Sequence, residues 1–281
     1  MTTPAASATS SPFTPTAAGG AGVLGRFLWH DLMTSDVEGA TRFYGSVAGW
    51  TTTPFGAGDA GEGKPPYLMW LAGGRPVGGV TTRPDDSASP PAFWMAHVGT
   101  PDLDATYAAA LALGARSHVP PTVIPSVGRF AIVADPQGAP FSLYEPADAT
   151  AAAAGSAAAA PSVGGFAWYE LATRDAGAAL EFYGRLFGWE RTGASDMGAM
   201  GEYVMYGQGE RTYGGMFNAG AGVTPAWLLY IHVDSVERAV EAVRAGGGEV
   251  QHGPVAVPGG GRIAQCRDPQ GGAFAVHAGP V

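Results

Sequence analysis

The hydrophobic positions of the chain follow two periods, and the same order of periods occurs four times. The stretch FLWHDL, which begins at Phe27, predicts a half-buried strand. After it, Val37, Ala40, Phe43 and Val47 recur at the spacing of a helix that buries one side. The runs YLMWLAG and PVGGVTT then predict further short strands. The same order of strand, helix and strands recurs from FWMAHVG and DLDATYAAALALGA onward, and twice more in the second half of the chain.

The predicted helices carry signals at their ends. Ser35 and Glu38 have the spacing of a capping box at the start of the first helix. Asp175 is the predicted N-cap of the equivalent helix in the second half. Gly49 and Gly188 stand where these two helices would end.

The second half of the chain repeats the first. The FYG triplets at Phe43 and Phe182 are 139 positions apart, the segments VGGV and YGGM 136, and the DPQG turns at Asp135 and Asp268 133. The shared order of motifs indicates a duplicated domain, and the shrinking offsets indicate deletions in its loops. A period of roughly 135 residues is too long for a solenoid repeat, so each copy is a full domain. We predict an α+β fold with four βαβββ units in two domains.

Composition indicates where the domains end. Residues 1–24 contain mainly small and polar side chains, which bury too little apolar surface to offset the entropy of ordering, so we predict a disordered tail. An Ala/Ser/Gly/Pro segment at 148–163 is the predicted linker between domains at 25–147 and 164–281. Two Gly-rich segments at matched positions, 56–66 and 193–202, are predicted as loops or, alternatively, as lids.

Composition and charge also restrict the function. The chain has 281 residues, 46% of them hydrophobic, and its net charge of -9 disfavours a nucleic-acid partner. The single Cys266 excludes an intrachain disulfide or a Cys-rich zinc site, and we interpret it as a small buried side chain. Neither a membrane span nor a signal peptide is visible. We therefore expect a cytoplasmic monomer or homodimer with a small-molecule ligand and with no nucleic-acid or membrane partner.

The first strand, the D…A..FYG…GW helix and the DPQG turn occur together in each half, and in this combination the chain resembles the vicinal oxygen chelate superfamily. That superfamily includes glyoxalases, bleomycin-resistance proteins and extradiol dioxygenases. The resemblance implies sheets curled into cups, helices outside them, ligands inside, and a divalent metal held by His and Glu side chains. The matching positions here are occupied by Trp29, Met95 and Ser142, and by Trp168, Leu228 and Ala275. None supplies an imidazole, thiolate or carboxylate, so we predict neither a metal nor another cofactor.

Strand parity predicts which side chains line each cup. If Trp29 points inward, Asp31 does too, because side chains two positions apart share a face of the strand. The same count places six residues in the first cup: Trp29, Asp31, Met95, His97, Ser142 and Tyr144. It places six in the second cup: Trp168, Glu170, Leu228, Tyr230, Ala275 and His277. Each cup then has aromatic walls, one carboxylate and one imidazole, as small-molecule sites do.

The acidic and imidazole side chains are the candidates for catalysis, as Asp31 with His97 and Glu170 with His277. The remaining inward residues are candidates for substrate binding. A carboxylate among aromatic rings is expected to have a raised pKa, which suits proton transfer near neutral pH. A purely structural role is the alternative, in which the pairs fix strand register and the two tryptophans fill the space of a lost metal.

Two further groups of residues are assigned to packing. Outward parity takes His30 out of the first cup, and we assign the same parity to His232. The glycine pairs at 78–79 and 214–215 lie inside predicted strands, where glycine marks a bulge or a close backbone approach.

Three functions are compatible with this pattern. The first is metal-independent binding of a small aromatic or carbonyl-rich metabolite, with isomerisation, cyclisation or elimination through an enol, in secondary metabolism or detoxification. The second is a non-catalytic protein that sequesters a drug or metabolite. The third is a metal-dependent glyoxalase-like lyase or dioxygenase that uses unusual ligands such as Asp31 and His97.

Overall fold

The computed structural model describes residues 22–56, 67–83, 91–150, 152 and 162–280. Nearly all of the predicted tail, most of the predicted linker and the Gly-rich positions 57–66 lie outside these ranges. The described residues form two eight-stranded mixed sheets with two helices each, which confirms the α+β class and the tandem domains. In this part of the chain, no helix reaches the length and apolarity needed to cross a membrane.

Each domain contains two βαβββ units. The elements of the first domain are β1 (Phe27–Thr34), α1 (Val37–Ala48), β2 (Thr51–Pro54), β3 (Leu68–Ala72), β4 (Arg75–Thr82), β5 (Phe93–Gly99), α2 (Leu103–Ala112), β6 (Arg116–Ile124), β7 (Gly128–Ala134) and β8 (Pro140–Pro146). Those of the second are β9 (Phe166–Thr173), α3 (Ala176–Phe187), β10 (Glu190–Asp196), a 3-10 helix (Gly198–Met200), β11 (Glu202–Gln208), β12 (Arg211–Asn218), β13 (Ala226–His232), α4 (Val236–Ala245), β14 (Glu249–Ala256), β15 (Arg262–Arg267) and β16 (Ala273–Ala278).

The two units of a domain join through their first strands. The first sheet has the order β2-β3-β4-β1-β5-β8-β7-β6, and the second repeats it as β10-β11-β12-β9-β13-β16-β15-β14. β1 and β5 are antiparallel at the centre, and each is flanked by a parallel partner, β4 or β8. The central register pairs Trp29 with His97 and Asp31 with Met95, which places these four side chains on one face.

The helices form where the pattern predicts them, with one difference at an end. α1 begins after Asp36, whose carboxylate accepts a hydrogen bond from the Gly39 N–H at 2.8 Å. The capping box predicted from Ser35 and Glu38 is therefore wrong by one residue, and Glu38 forms an ion pair with Arg42 instead. The N-cap predicted at Asp175 is confirmed, with the Ala178 N–H as its donor.

Two other predicted features can be compared with the structure. The Gly-rich segment 193–202 is only partly a loop, because β10 extends through Asp196 and a 3-10 helix follows. Cys266 is buried on β15, as predicted, and burial raises the pKa of its thiol to about 12.

The two domains pack against each other through their helix-bearing faces. α1 contacts α4 of the other domain, and α2 contacts α3. Between the sheets, Phe27 of β1 stacks on Tyr169 of β9 with ring centroids 3.6 Å apart. The helices thus lie outside the cups and at the contact between the domains.

The motifs that mark the repeat hold this contact together. The Tyr44 hydroxyl of the first FYG triplet donates to Asp268 of the second DPQG turn at 3.0 Å, and Tyr183 donates to Asp135 at 3.1 Å. The other oxygen of each aspartate accepts N–H groups of its own turn. Because all four side chains are buried, each motif of one domain satisfies a polar group of the other.

Removing either tyrosine hydroxyl is expected to destabilise the pair of domains. Tyr44→Phe or Tyr183→Phe should lower the free energy of unfolding by about 1–2 kcal/mol, because a buried carboxylate oxygen loses its donor. Urea unfolding measures this change. Tyr107→Phe, which removes a solvent-exposed bond to Ser117, is the matched control and should cost under about 0.5 kcal/mol. Equal effects for all three variants would contradict the prediction.

Candidate functional site

The first cup contains a cluster of four polar side chains centred on a buried carboxylate. Trp29 Nε1 donates to Asp31 Oδ1 at 3.0 Å and lies 2.7 Å from the Tyr67 hydroxyl oxygen. The Tyr67 hydroxyl donates to the same Asp31 oxygen at 2.6 Å. His97 Nε2 lies 3.0 Å from the other oxygen, Oδ2, so each side of the carboxylate has a partner.

These contacts determine the charge of the carboxylate. Burial acts to raise the pKa of Asp31, but the His97 hydrogen bond and charge, together with Tyr67 and Trp29, outweigh it and hold the pKa below its usual value. The raised pKa that we predicted for this carboxylate is therefore wrong, because aromatic neighbours with N–H and O–H groups act as donors. Burial and the nearby carboxylate raise the pKa of Tyr67, which keeps the phenol protonated.

The second cup repeats three members of the cluster. Trp168 Nε1 donates to the Tyr203 hydroxyl at 2.8 Å, and that hydroxyl donates to Glu170 Oε2 at 2.9 Å. The fourth position differs, because Glu170 Oε1 accepts from the Tyr230 hydroxyl at 3.1 Å and from Gln265 Nε2 at 3.0 Å. Among the described residues, the donors to this carboxyl group are all uncharged.

Glu170 therefore has an environment unlike that of Asp31. Burial raises the pKa of Glu170, and the hydrogen bonds from Tyr203, Tyr230 and Gln265 only partly oppose it. The two cups thus have the same frame of tryptophan, tyrosine and carboxyl group, but the pKa values of their carboxyl groups move in opposite directions.

The pairing of Glu170 with His277 is not formed. Glu170 lies opposite Leu228, whereas His277 pairs with His232 farther along the sheet, where their Nδ1 atoms are 3.3 Å apart. His277 Nε2 contacts the carbonyl oxygen of Pro280 at 3.1 Å. Parity gives the face of a strand but not the position along it, and our pairing was wrong for that reason. The outward parity assigned to His232 was also wrong, since it lies two positions from the inward Tyr230.

The other predicted cup residues lie around these clusters. Met95 and Leu228 are the strand partners of the two carboxyl residues, and Ser142 and Ala275 are the partners of the residues His97 and Tyr230. Ser142 is fully buried, and its hydroxyl lies 3.3 Å from the Leu143 carbonyl oxygen. Tyr144 stands edge-on to the His97 ring and donates its hydroxyl to the Val127 carbonyl.

His30 points out of the first cup, toward the second domain. Its Nδ1 lies 3.0 Å from the Val77 carbonyl oxygen, and its Nε2 lies 2.8 Å from the Tyr169 hydroxyl. The ring also packs on Phe166 with centroids 4.0 Å apart. His30 is thus part of the contact between the domains.

Three residues of the clusters were not predicted: Tyr67, Tyr203 and Gln265. A signal for the tyrosines was present, because they are 136 positions apart, the same offset as the glycine pairs. The structure explains this shared offset. A side chain at Gly79 would overlap Tyr67, and one at Gly215 would overlap Tyr203, so each tyrosine lies over a glycine. The first glycines of the pairs, at 78 and 214, closely approach a backbone carbonyl of the neighbouring strand, as predicted.

The donor set does not fit the divalent metal that the family resemblance implies. Within the described ranges, no group of three or more His, Cys, Asp and Glu side chains could hold a metal ion. Asp31 and His97 contact each other, and Glu170 is enclosed by tyrosine and glutamine donors.

Sequence comparison covers both halves of the chain. A sequence profile for the glyoxalase/bleomycin resistance protein/dioxygenase superfamily matches residues 24–143 and 165–276. CFP32 of Mycobacterium tuberculosis, named as a candidate glyoxylase, is 28% identical over 254 residues that cover 88% of this chain and 92% of CFP32. The anthracycline biosynthesis protein DnrV of Streptomyces peucetius is 29% identical over 268 residues, which cover 88% of this chain and 91% of DnrV.

Solved structures with the same fold are more distant in sequence. The Mn(II)-bound glyoxalase from Novosphingobium aromaticivorans superimposes with a TM-score of 0.61 at 15% identity, over 91% of this chain and 82% of that one. A variant of homoprotocatechuate 2,3-dioxygenase from B. fuscum superimposes with a TM-score of 0.63 at 14% identity, over 96% of this chain and 75% of that one. At these identities the likeness concerns the fold alone.

Proposed function

Because the chain belongs to the glyoxalase/bleomycin resistance protein/dioxygenase superfamily, we propose that its cups bind a small aromatic or carbonyl-rich metabolite and transfer a proton through an enol without a metal. The observation that carries this proposal is the repeated cluster of tryptophan, tyrosine and carboxyl group. It stands in both cups where the family resemblance implies a metal.

The walls of the cups favour a planar ligand. Trp29 and Trp168 are only half-buried, so part of each indole remains free to contact a ring, and Met95 and Leu228 add apolar surface beside the carboxyl groups. A mostly apolar wall with a few converging polar groups is typical of small-molecule sites. The name of DnrV connects that relative with anthracycline biosynthesis, and fused aromatic rings with carbonyl groups are the ligand class that we infer here.

The polar groups suit chemistry next to a carbonyl. A base removes a proton from the carbon beside the carbonyl, the C–H electrons form the enolate double bond, and the proton is returned to another carbon. The cups contain carboxyl groups and an imidazole that can carry the proton. The phenols of Tyr67 and Tyr203, which burial keeps protonated, donate their single protons to the two carboxyl groups and hold them in place beside the ligand.

The experiment uses an anthracyclinone with an enolisable ketone as the probe. Quenching of tryptophan fluorescence measures its binding, and mass spectrometry in heavy water measures exchange of the proton beside the ketone. We expect the double variant Asp31→Asn, Glu170→Gln to retain affinity at the first cup within about threefold and to lose about 100-fold or more in exchange rate. Glu241→Gln, on the exposed face of α4, is the matched control.

The other outcomes separate the alternative functions. Binding of the probe without exchange by the unmodified protein supports a sequestering protein and overturns the catalytic part of the proposal. Stoichiometric, tightly bound Ni, Zn or Fe on which exchange depends overturns the metal-independent part. Native mass spectrometry of the purified protein would identify a metabolite that remains bound.

A further inference from the structure

Within the proposed function, on which this inference rests, we infer that proton transfer is confined to the first cup. His97 is the base there and Asp31 its positioning residue, whereas the second cup binds an uncharged carbonyl or hydroxyl group without transferring a proton. The inference comes from the positions at which the two clusters differ.

The two cups differ at one equivalent pair of positions in particular. His97 lies opposite Trp29 in the sheet register, and Tyr230 lies opposite Trp168 in the same way. Both contact the carboxyl group of their cup, at 3.0 Å for His97 and 3.1 Å for Tyr230. An imidazole, which can accept a proton on a ring nitrogen, is thus replaced by a phenol whose pKa burial raises well above its ordinary value.

A second difference reinforces the first. Gln265 lies beside Ala275 in the second sheet, and Ile132 has the same place beside Ser142 in the first. The amide of Gln265 donates to the carboxyl group of Glu170 and contacts the Tyr230 hydroxyl, both at 3.0 Å. Ile132 has no polar group, so the first cup has no amide donor at this position.

The contacts of Asp31 determine which nitrogen of His97 can act as the base. An ionised carboxylate only accepts hydrogen bonds, so His97 Nε2 must donate to Asp31 Oδ2. In the neutral ring the lone pair then lies on Nδ1, and no hydrogen bond to Nδ1 is found among the described residues. A base whose other nitrogen is oriented by a carboxylate is an arrangement that recurs in catalytic sites.

The proposed step balances within the first cup. Nδ1 takes the proton from the carbon beside the ligand carbonyl, the C–H bond electrons form the enolate, and Asp31 stabilises the resulting imidazolium. The imidazolium then returns the proton to carbon, so no oxidant or reductant is needed.

Among the described residues, no imidazole contacts the carboxyl group of the second cup, because His232 and His277 contact each other farther along the sheet. Glu170 Oε1 accepts two protein donors and Oε2 accepts one, so both oxygens are already engaged. Because burial raises the pKa of Glu170, its carboxyl group favours the protonated form more than an exposed glutamate does, and in that form it can donate to a ligand carbonyl. This cup therefore suits binding of an uncharged polar group.

The test compares His97→Gln with Glu170→Gln, using the same anthracyclinone probe and the full chain. Gln is chosen at position 97 because its amide can keep the donor to Asp31. We expect His97→Gln to lower kcat for exchange by about 100-fold or more, with Kd within about threefold. Glu170→Gln is expected to weaken binding at the second cup, with a kcat loss at least about 30-fold smaller than that of His97→Gln. His118→Gln, at an exposed position of β6, is the matched control.

Further measurements distinguish catalysis from a folding effect. Thermal unfolding and His97→Asn, as a second variant, show whether loss of exchange follows loss of folded protein. NMR shifts of the imidazole nitrogens are expected to show Nε2–H in the unmodified protein and a changed tautomer in Asp31→Asn, which a structural role of Asp31 would not produce.

The outcomes separate this inference from the proposed function. Exchange by His97→Gln at the unmodified rate, or an equal kcat loss in Glu170→Gln, overturns the inference and leaves the proposed function in place. Failure of the unmodified protein to bind the probe or exchange its proton overturns the proposed function, and the inference with it.

Discussion

Replacing Gly79 or Gly215 with alanine is expected to displace a tyrosine from its cup carboxyl group and to impair both folding and ligand binding. A methyl group at Gly79 would overlap the Tyr67 hydroxyl and approach Asp31 Oδ1 to 2.6 Å. At Gly215 it would overlap the ring of Tyr203. Each ring is tied to the cluster by hydrogen bonds and cannot move without breaking them. We expect a loss of roughly 3 kcal/mol in unfolding free energy, the upper part of the range for overpacking.

Urea unfolding and titration with the anthracyclinone probe check this prediction. Gly220→Ala is the matched control, because no atom lies within 4 Å of the place where its methyl group would be. Gly79→Ala should impair binding at the first cup and Gly215→Ala at the second. If either variant unfolds like the control, the tyrosines do not depend on these glycines for their place.

The elements and the duplication were predictable because both leave local, periodic signals. α1 and its equivalent α3 each have an apolar stripe and a marked start, so the repeat supplies these signals twice. The one-residue error at Ser35 arose because two neighbouring residues can both act as an N-cap, and only backbone geometry decides between them. Motif order then indicated the family, and with it the sheets with helices outside them, which no local pattern contains.

The contact between the domains was not predictable from such signals. Tyr44 and Asp268 are separated by more than two hundred positions, and each also fits a role within its own domain. Their motifs were interpreted as markers of the repeat, whereas the structure shows that they also join its copies.

The candidate sites also combine features that the sequence predicts with features that it does not. Parity and adjacent strands were sufficient to bring Asp31 to His97, because β1 and β5 pair directly. The position of His277 depends on the register of β13 with β16, which the sequence does not reveal. The direction of each pKa shift depends on the number and kind of donors around a carboxyl group, so Asp31 and Glu170 differ although their sequence contexts match.

Lowering the pH from about 7 to about 4 is expected to remove about 3 kcal/mol of folding free energy through His30 alone. Burial lowers the pKa of His30 from 6.5 to about 4, with the Val77 carbonyl partly opposing the shift. Phe166 and Tyr169 cover the ring, so water cannot solvate a charge there. Between these pH values the unfolded chain binds a proton that the folded chain does not. The pH-dependent contribution of His30 to folding free energy is therefore complete above pH 6.5 and is lost as the pH falls toward 4.

Urea unfolding at a series of pH values in this range, for the unmodified protein and for His30→Gln, measures the effect. Other buried groups titrate as well. His232 and His277 act in the same direction as His30, and Glu170 and Asp268 in the opposite one. These contributions are common to both proteins and cancel in the difference. The variant should be less stable at neutral pH, because it loses the contacts to Val77 and Tyr169, but its stability should fall less steeply with acid. Parallel loss of stability in both proteins would assign the acid sensitivity to another group, since only the imidazole at position 30 distinguishes them.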